Sequence, residues 1–197
     1  MKSLEVIFFD TNKIDLNHLL GSTFLSDANL EELSRFKMDE TKKEKACSFI
    51  LKNKYVRDYH VNKFDKPVSD VCYFNVSHSK GLVVFIKDEV PVGIDIEKVR
   101  PVSNDLIDYI SSIEENKYIK SESNFYEVWT NKESLSKCIG TGIKDKIKEI
   151  PALPINGKKE YKNRVFYCFT INYSDAIISI TRESDEPFVV KIVEEKL

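Results

Sequence analysis

Glycine and proline are scarce, six of each in 197 residues, which excludes a collagen-like or low-complexity chain. The four cysteines (Cys47, Cys72, Cys138, Cys168) fall into no CxxC pair and read as buried thiols, not as a disulfide framework or a zinc site. The three histidines (His18, His60, His78) form no close ligand pair in the sequence. No apolar stretch approaches the roughly 20 residues that span a bilayer. The opening segment MKSLEVIFFD has an apolar run too short and too soon interrupted for a signal peptide. An excess of one charge is missing as well. Thirty basic and 32 acidic residues give a net charge of −2, without the basic surplus of a nucleic-acid-binding face. What is present is a chain 42% hydrophobic and 31% charged, enough to bury a core without staples. A cytoplasmic globular protein is expected, as one domain or two closely packed halves.

Apolar periodicity predicts a strand over Leu4–Phe9, a short helix over Asn29–Phe36 and a longer helix from Asp39 to about His60, capped by Asp39 or Thr41. Cys72–Val76, Leu82–Ile86 and Val92–Ile96 read as three strands, with Asp88-Glu89 as a hairpin turn. Ser103–Lys120 reads as helix in two pieces, and Ser123–Ile139 as a helix stopped by Gly140 and Gly142. Arg164–Ile171, Ala176–Thr181 and Phe188–Val193 complete the strands, with Asn172–Asp175 as a tight connection. Strands and helices come in runs without regular βαβ alternation, so the fold class is α+β.

Three segments carry chemistry. In Phe74-Asn-Val-Ser-His-Ser-Lys-Gly81 an extended run enters a turn holding Ser77, His78, Ser79 and Lys80, where hydroxyls, an imidazole and backbone N–H groups suit an anion. In Val92-Gly-Ile-Asp-Ile-Glu97, Asp95 and Glu97 lie two apart on a strand and share a face, with Ile94 and Ile96 on the other. Paired acids on such a strand suit Mg²⁺, which takes carboxylate oxygens and keeps room for waters and phosphates. In Trp129-Thr-Asn-Lys-Glu-Ser-Leu-Ser-Lys137, Glu133 and Lys137 share a helix face. Each segment alone also has a plain structural reading: loop residues, surface acids, a helix-stabilising ion pair. Together they supply the groups of a metal-clamped pyrophosphate.

At these residues the chain resembles the Sfp-type 4′-phosphopantetheinyl transferases. Residues 74–79 are similar to the family's FNxSHS segment, 92–97 to its (I/V)G(I/V)D(I/V)E strand, and 129–137 to its WxxKESxxK helix. Gly140-Thr-Gly142-Ile143 is similar to the GxGL-like turn that follows. The resemblance covers about Phe74 to Ile143, in the family's order.

The resemblance implies transfer of the 4′-phosphopantetheine arm of coenzyme A to a serine of an apo acyl- or peptidyl-carrier protein, leaving 3′,5′-ADP. It implies Asp95, Glu97 and Glu133 as Mg²⁺ ligands, Glu133 as general base, and Lys137 on the pyrophosphate and the departing 3′,5′-ADP. Ser77 and His78 would contact coenzyme A phosphates, and Lys42 and Lys45 would serve the nucleotide from the helix start at Thr41-Lys-Lys-Glu-Lys45. Lys66, in Asp65-Lys-Pro67, would do so from a turn where the family has GKP. Lys132 and Arg57 are further candidates. The implied fold is two similar α+β halves related by a pseudo-twofold axis, residues 1–100 and 101–197, split between Lys98 and Val102. The stretch from Arg57 to Lys66 is short, so the N-terminal half is expected to be shortened. A monomer is implied, with neither nucleic acid nor membrane as partner. A carrier is expected to dock near Ser103–Lys120, and fatty-acid, polyketide and peptide-synthesis carriers are not separated. The alternative is a non-catalytic coenzyme A- or nucleotide-binding protein with a degraded N-terminal half.

Overall fold

The computed structural model describes residues 1–62, 66–142 and 147–196. Strand β1, Lys2–Asp10, is apolar on both faces because both are covered: Leu4, Val6 and Phe8 enter one core and Ile7 and Phe9 another. Three helices follow, α1 (Leu16–Leu20), α2 (Asp27–Ser34) and α3 (Asp39–Tyr55). Helix α2 starts two residues before the expected Asn29, because Ser26 and Asn29 close a capping box around its first turn. Helix α3 starts at Asp39 as expected, but its N-cap is Met38, which makes no side-chain cap bond. It stops at Tyr55, short of His60. The Arg57 N–H turns back to the Lys52 carbonyl at 3.1 Å, with Arg57 in the left-handed region at φ 65°.

A two-stranded ribbon, β2 (His60–Val61) with β3 (Pro67–Val68), leads into β4 (Tyr73–Ser79), β5 (Leu82–Asp88) and β6 (Val92–Lys98). Two expectations are corrected here. Ser77, His78 and Ser79 lie on strand β4, and the turn is only Lys80-Gly81, both at positive φ. The hairpin is therefore β4–β5, not one at Asp88-Glu89. Asp88 instead ends β5 in a buried joint, 2.6 Å from the Arg182 Nε, and the chain passes from there into the other sheet.

Helices α4 (Asn104–Ile110), α5 (Ile113–Tyr118) and α6 (Glu122–Ile139) follow, each begun by a serine side chain capping a backbone N–H. Gly140 ends α6 in the left-handed conformation at φ 85°. Strands β7 (Gly157–Tyr161), β8 (Arg164–Tyr173), β9 (Ala176–Arg182) and β10 (Phe188–Glu194) complete the described chain, with β7 missed by the sequence reading.

The strands form two four-stranded sheets, ordered β10-β1-β5-β4 and β6-β9-β8-β7. All pairs within them are antiparallel except β1–β10, which runs parallel with Lys2 opposite Phe188. Sheet membership crosses residue 100 twice, since β6 joins the later strands and β10 joins the earliest. The sheets face each other across an aliphatic core: Leu4, Val6, Val84 and Ile86 meet Ile94, Ile96, Ile178 and Ile180. Helices α1–α3 cover the outer face of the first sheet through Phe9, Leu33, Ile50 and Phe85. Helix α6 covers the outer face of the second. The molecule is α+β, stacked as helices, sheet, sheet and helix. Each such fully buried side chain contributes roughly 1.5–3 kcal/mol of transfer free energy.

Candidate active site

Strand β6 sends Ile94 and Ile96 into the core between the sheets, so its alternate residues Gly93, Asp95 and Glu97 face α6. Gly93 permits the contact. A Cβ there would lie 2.0 Å from the Ser134 carbonyl oxygen and 2.5 Å from the Cys138 nitrogen, both backbone atoms of α6. With no side chain in the way, α6 lies directly on β6 and brings Glu133 and Lys137 to the two strand acids. Beside apolar groups such as Leu135 and Phe166, polar pairs hold the rest of the contact. Thr130 meets Ser179 at 2.7 Å, Ser134 meets Thr181 at 2.8 Å, and the Asn131 amide donates to Thr170 at 2.7 Å.

Asp95, Glu97, Glu133, Lys137, Ser77 and His78 line one cavity of about 260 Å³, with Trp129 in its wall. Asp95 is 4% exposed. Its Oδ1 accepts from the Ser77 hydroxyl at 2.6 Å and from the Lys137 ammonium at 2.6 Å, while Lys137 also donates to Ser77 Oγ at 3.0 Å. The ion pair that forms is thus Lys137–Asp95, across two elements, and not the Glu133–Lys137 helix pair. Its other oxygen, Oδ2, is buried without a hydrogen-bond partner. Glu97 Oε2 accepts from the Ser79 hydroxyl at 2.6 Å. Burial raises the Glu97 carboxyl above its ordinary range, Ser79 opposes this, and the neighbouring Asp95 adds to it. Glu133 is pushed up to about 7, first by burial and then by Asp95, with Lys137 opposing and Glu97 contributing. A carboxyl poised there can take a proton near neutral pH.

The donor set fits a hard divalent cation. An orphaned carboxylate oxygen on Asp95 and two further acids raised by burial and by the Asp95 charge are what such a cation would neutralise. Among the described residues, no three His, Cys, Asp or Glu side chains stand together at metal-binding separations. In this structure the Lys137 ammonium meets the Asp95 charge.

A second cavity, about 170 Å³, adjoins the first and shares His78 and Val76 with it. Lys45, Ser48 and Lys52 line it from α3, and Lys66 lines it from the start of β3. Lys66 also donates to the Lys137 carbonyl at 2.8 Å near the end of α6, and burial lowers its ammonium below the usual range. Lys42, expected beside Lys45, is not among the described residues lining either cavity. Arg57 is exposed at the end of α3. Lys132 is fully buried away from both cavities, paired with Glu115 at 2.8 Å and donating to the Ile147 and Ile150 carbonyls at 3.0 and 2.7 Å. It is a structural cation. Asp65 and Ile143 lie outside the described residues.

Sequence reasoning missed two participants. Lys52 carries no motif signal; it is buried in the wall of the second cavity, 4.6 Å from the centre of the Phe49 ring, and burial pushes its ammonium down to about 8. Glu44 stands between Lys43 and Lys45, and its Oε2 lies 3.1 Å from His78 Nδ1. The spacing of Glu44 and Ser48 from Lys52 along one helix was the signal available. A further cavity, about 520 Å³ and floored by Ile7, Tyr55 and Phe85, lies at the other end of the first sheet and holds none of these groups.

The profile of the 4′-phosphopantetheinyl transferase superfamily matches residues 91–190, just over half of the chain. The chain is 36% identical over 94 residues to the 4′-phosphopantetheinyl transferase gsp of Aneurinibacillus migulanus, a match covering 43% of this chain and 39% of that one. It is 36% identical over 77 residues to psf-1 of Bacillus pumilus, covering 36% and 33%. It is 29% identical over 140 residues to Sfp of Bacillus subtilis (strain 168), covering 61% and 62%. The chain therefore matches between about a third and three fifths of the length of these relatives. With a profile that runs from β6 through α6 to β10, the chain belongs to the 4′-phosphopantetheinyl transferase superfamily.

Proposed function

We propose that this protein transfers the 4′-phosphopantetheine moiety of coenzyme A to a serine of an apo acyl- or peptidyl-carrier protein, releasing 3′,5′-ADP, with Mg²⁺. The observation that carries this reading is one cavity where three carboxylates from two elements face a lysine, opening through His78 onto a lysine-lined neighbour. Asp95, Glu97 and Glu133 would hold the Mg²⁺, whose charge would neutralise the pyrophosphate. Glu133 takes the proton of the carrier serine hydroxyl. The serine oxygen forms a bond to the β-phosphorus of coenzyme A. The bond from the β-phosphorus to the bridging oxygen of the phosphoanhydride breaks, and its electron pair leaves on that oxygen as part of 3′,5′-ADP. Lys137 stabilises that charge once it leaves Asp95 for the pyrophosphate, and Ser77 orients Asp95 beside it. His78, Lys45, Lys66 and Lys42 serve the phosphates and nucleotide of coenzyme A.

The expected architecture belongs to the same proposal: halves 1–100 and 101–197 related by a pseudo-twofold axis, the first shortened and each lending a strand to the other's sheet. So do a monomeric working unit in the cytoplasm and the absence of nucleic-acid or membrane partners.

The test is incubation with coenzyme A, Mg²⁺ and a panel of apo-carrier proteins, followed by intact mass measurement. A phosphopantetheine added to a carrier serine, abolished by EDTA and by Asp95→Ala, is the expected result. Tight coenzyme A binding with no transfer to any carrier would replace it with a non-catalytic coenzyme A-binding role.

A further inference from the structure

The acid at the start of α3 has no place in the reaction as written, yet it is buried and fully engaged. Glu44 is 7% exposed. One oxygen, Oε1, accepts the Gly81 N–H at 2.7 Å and the other, Oε2, meets His78 Nδ1 at 3.1 Å. Gly81 is a fixed anchor. It sits at φ +82°, a conformation that strains any L side chain, and a Cβ on it would also press on the Asn12 amide 2.4 Å away. The carboxylate is thus held at both oxygens, one by a rigid turn and one by the imidazole.

A carboxylate offers only acceptors, so the ring nitrogen facing it carries the hydrogen. That leaves His78 Nε2 as the ring atom free for a ligand, at the place where the two cavities meet. A phosphate oxygen requires an N–H there too, and the imidazolium so formed meets its counter-charge in Glu44. Burial alone would raise the Glu44 carboxyl, but the bonds from His78 and Gly81 hold it below its ordinary range, so it is ionised at neutral pH. Next to it on α3, Lys45, Ser48 and Lys52 line the second cavity. The Ser48 hydroxyl is bonded to the Glu44 carbonyl at 2.9 Å. The same helix thus supplies both the cationic wall and the residue that aims the histidine.

We infer that Glu44 is a positioning residue for coenzyme A binding, fixing the His78 ring with Nδ1–H on its carboxylate and Nε2 toward a phosphate of the substrate. The inference rests on the function proposed above and deepens it, since it makes the α3 acid, and not only its lysines, part of substrate recognition.

The test is a double-mutant cycle of Glu44→Ala and His78→Ala, read by coenzyme A affinity in titration calorimetry, by KM and kcat with an accepted carrier, and by ring ¹⁵N shifts of His78 in the ligand-free protein. In the wild-type background Glu44→Ala should weaken coenzyme A binding about tenfold, mainly through KM, and move the Nδ1 resonance away from its protonated position. Glu44→Gln keeps an acceptor and should lose about threefold. In the His78→Ala background Glu44→Ala should change affinity less than twofold, because its effect runs through the ring. Glu44→Ala should lower thermal stability in both backgrounds, since the Gly81 N–H loses its acceptor in each. Additive losses in the double variant, or an unchanged His78 Nδ1 resonance, would overturn the inference. A wild-type protein that binds no coenzyme A would overturn the function proposed above, while the ring shifts of the ligand-free protein would still decide whether Glu44 sets the histidine.

Discussion

Replacing Glu133 with glutamine should make the ligand-free protein more stable while removing its activity. Glu133 is half-buried, and its carboxyl is raised from 4.5 to about 7 by burial and by Asp95, with Lys137 opposing. At about 1.4 kcal/mol per pKa unit, ionising it in the folded state costs about 3 kcal/mol. The folded pKa lies above the unfolded one, so the folded state binds this proton more tightly. The stability linked to it is complete below about 4.5 and is lost as the pH rises through 7. Glutamine never ionises and escapes the loss. For a chain of this length, 1 kcal/mol moves Tm by roughly 2–4 °C, so Glu133→Gln should melt about 6–12 °C higher than wild type at pH 8 in EDTA. The gap should close as the pH falls toward 4.5. Adding Mg²⁺ should raise the Tm of the wild type and leave the variant nearly where it was. Differential scanning calorimetry from pH 4.5 to 8.5, with and without Mg²⁺, reads all of this. A variant no more stable than wild type at pH 8 in EDTA would refute the reasoning, because the carboxylate would then not be under electrostatic strain.

Gly93→Ala should be severe despite its size: a methyl 2.0 Å from the Ser134 carbonyl forces α6 off β6, at a cost of about 2–3 kcal/mol in urea unfolding. Because the displaced helix carries Glu133 and Lys137, transfer should fall about 100-fold in the fraction that still folds. Lys132→Met should cost about 3–5 kcal/mol by leaving Glu115 buried without its cation, and Glu115→Gln combined with it should recover part of that loss. An intact, active Lys132→Met protein would show that the buried pair does not hold α6 in place.

Much of the candidate site was legible because it depends on short-range periodicity. Two-residue alternation put Asp95 and Glu97 opposite Ile94 and Ile96, and the helical repeat put Glu133 and Lys137 on one face, ended by Gly140. Periodicity says which residues share a face but not which element lies across from it. Hence Lys137 was expected beside Glu133 and is found on Asp95. The same limit hid the sheet assignment: β5 and β6 read as neighbours in a hairpin, whereas β6 pairs with β9, about 80 residues on. Ser77 and His78 were read as a turn from residue type, but the backbone needs only Lys80 and Gly81 for that, so the strand runs on through Ser79. Lys132 sits inside a motif otherwise aimed at the cavity, and only its burial beside Glu115 shows that it points the other way. Glu44 went unread because an acid among lysines looks like a solvated helix face.

The parallel pairing of β1 with β10 also bears on how the protein is made. Strand β1 is synthesised almost 180 residues before the neighbour that completes its ladder, Phe188–Glu194. Until then Leu4, Val6 and Phe8 have no Phe188 or Ile192 to close over them, and β1 presents an unpaired hydrophobic edge of the kind that recruits other strands. Loop closure over nearly the whole chain also makes this step late and slow. The first sheet therefore closes only after β10 has been made, and nascent chains that stall before β10 would be natural clients for a chaperone.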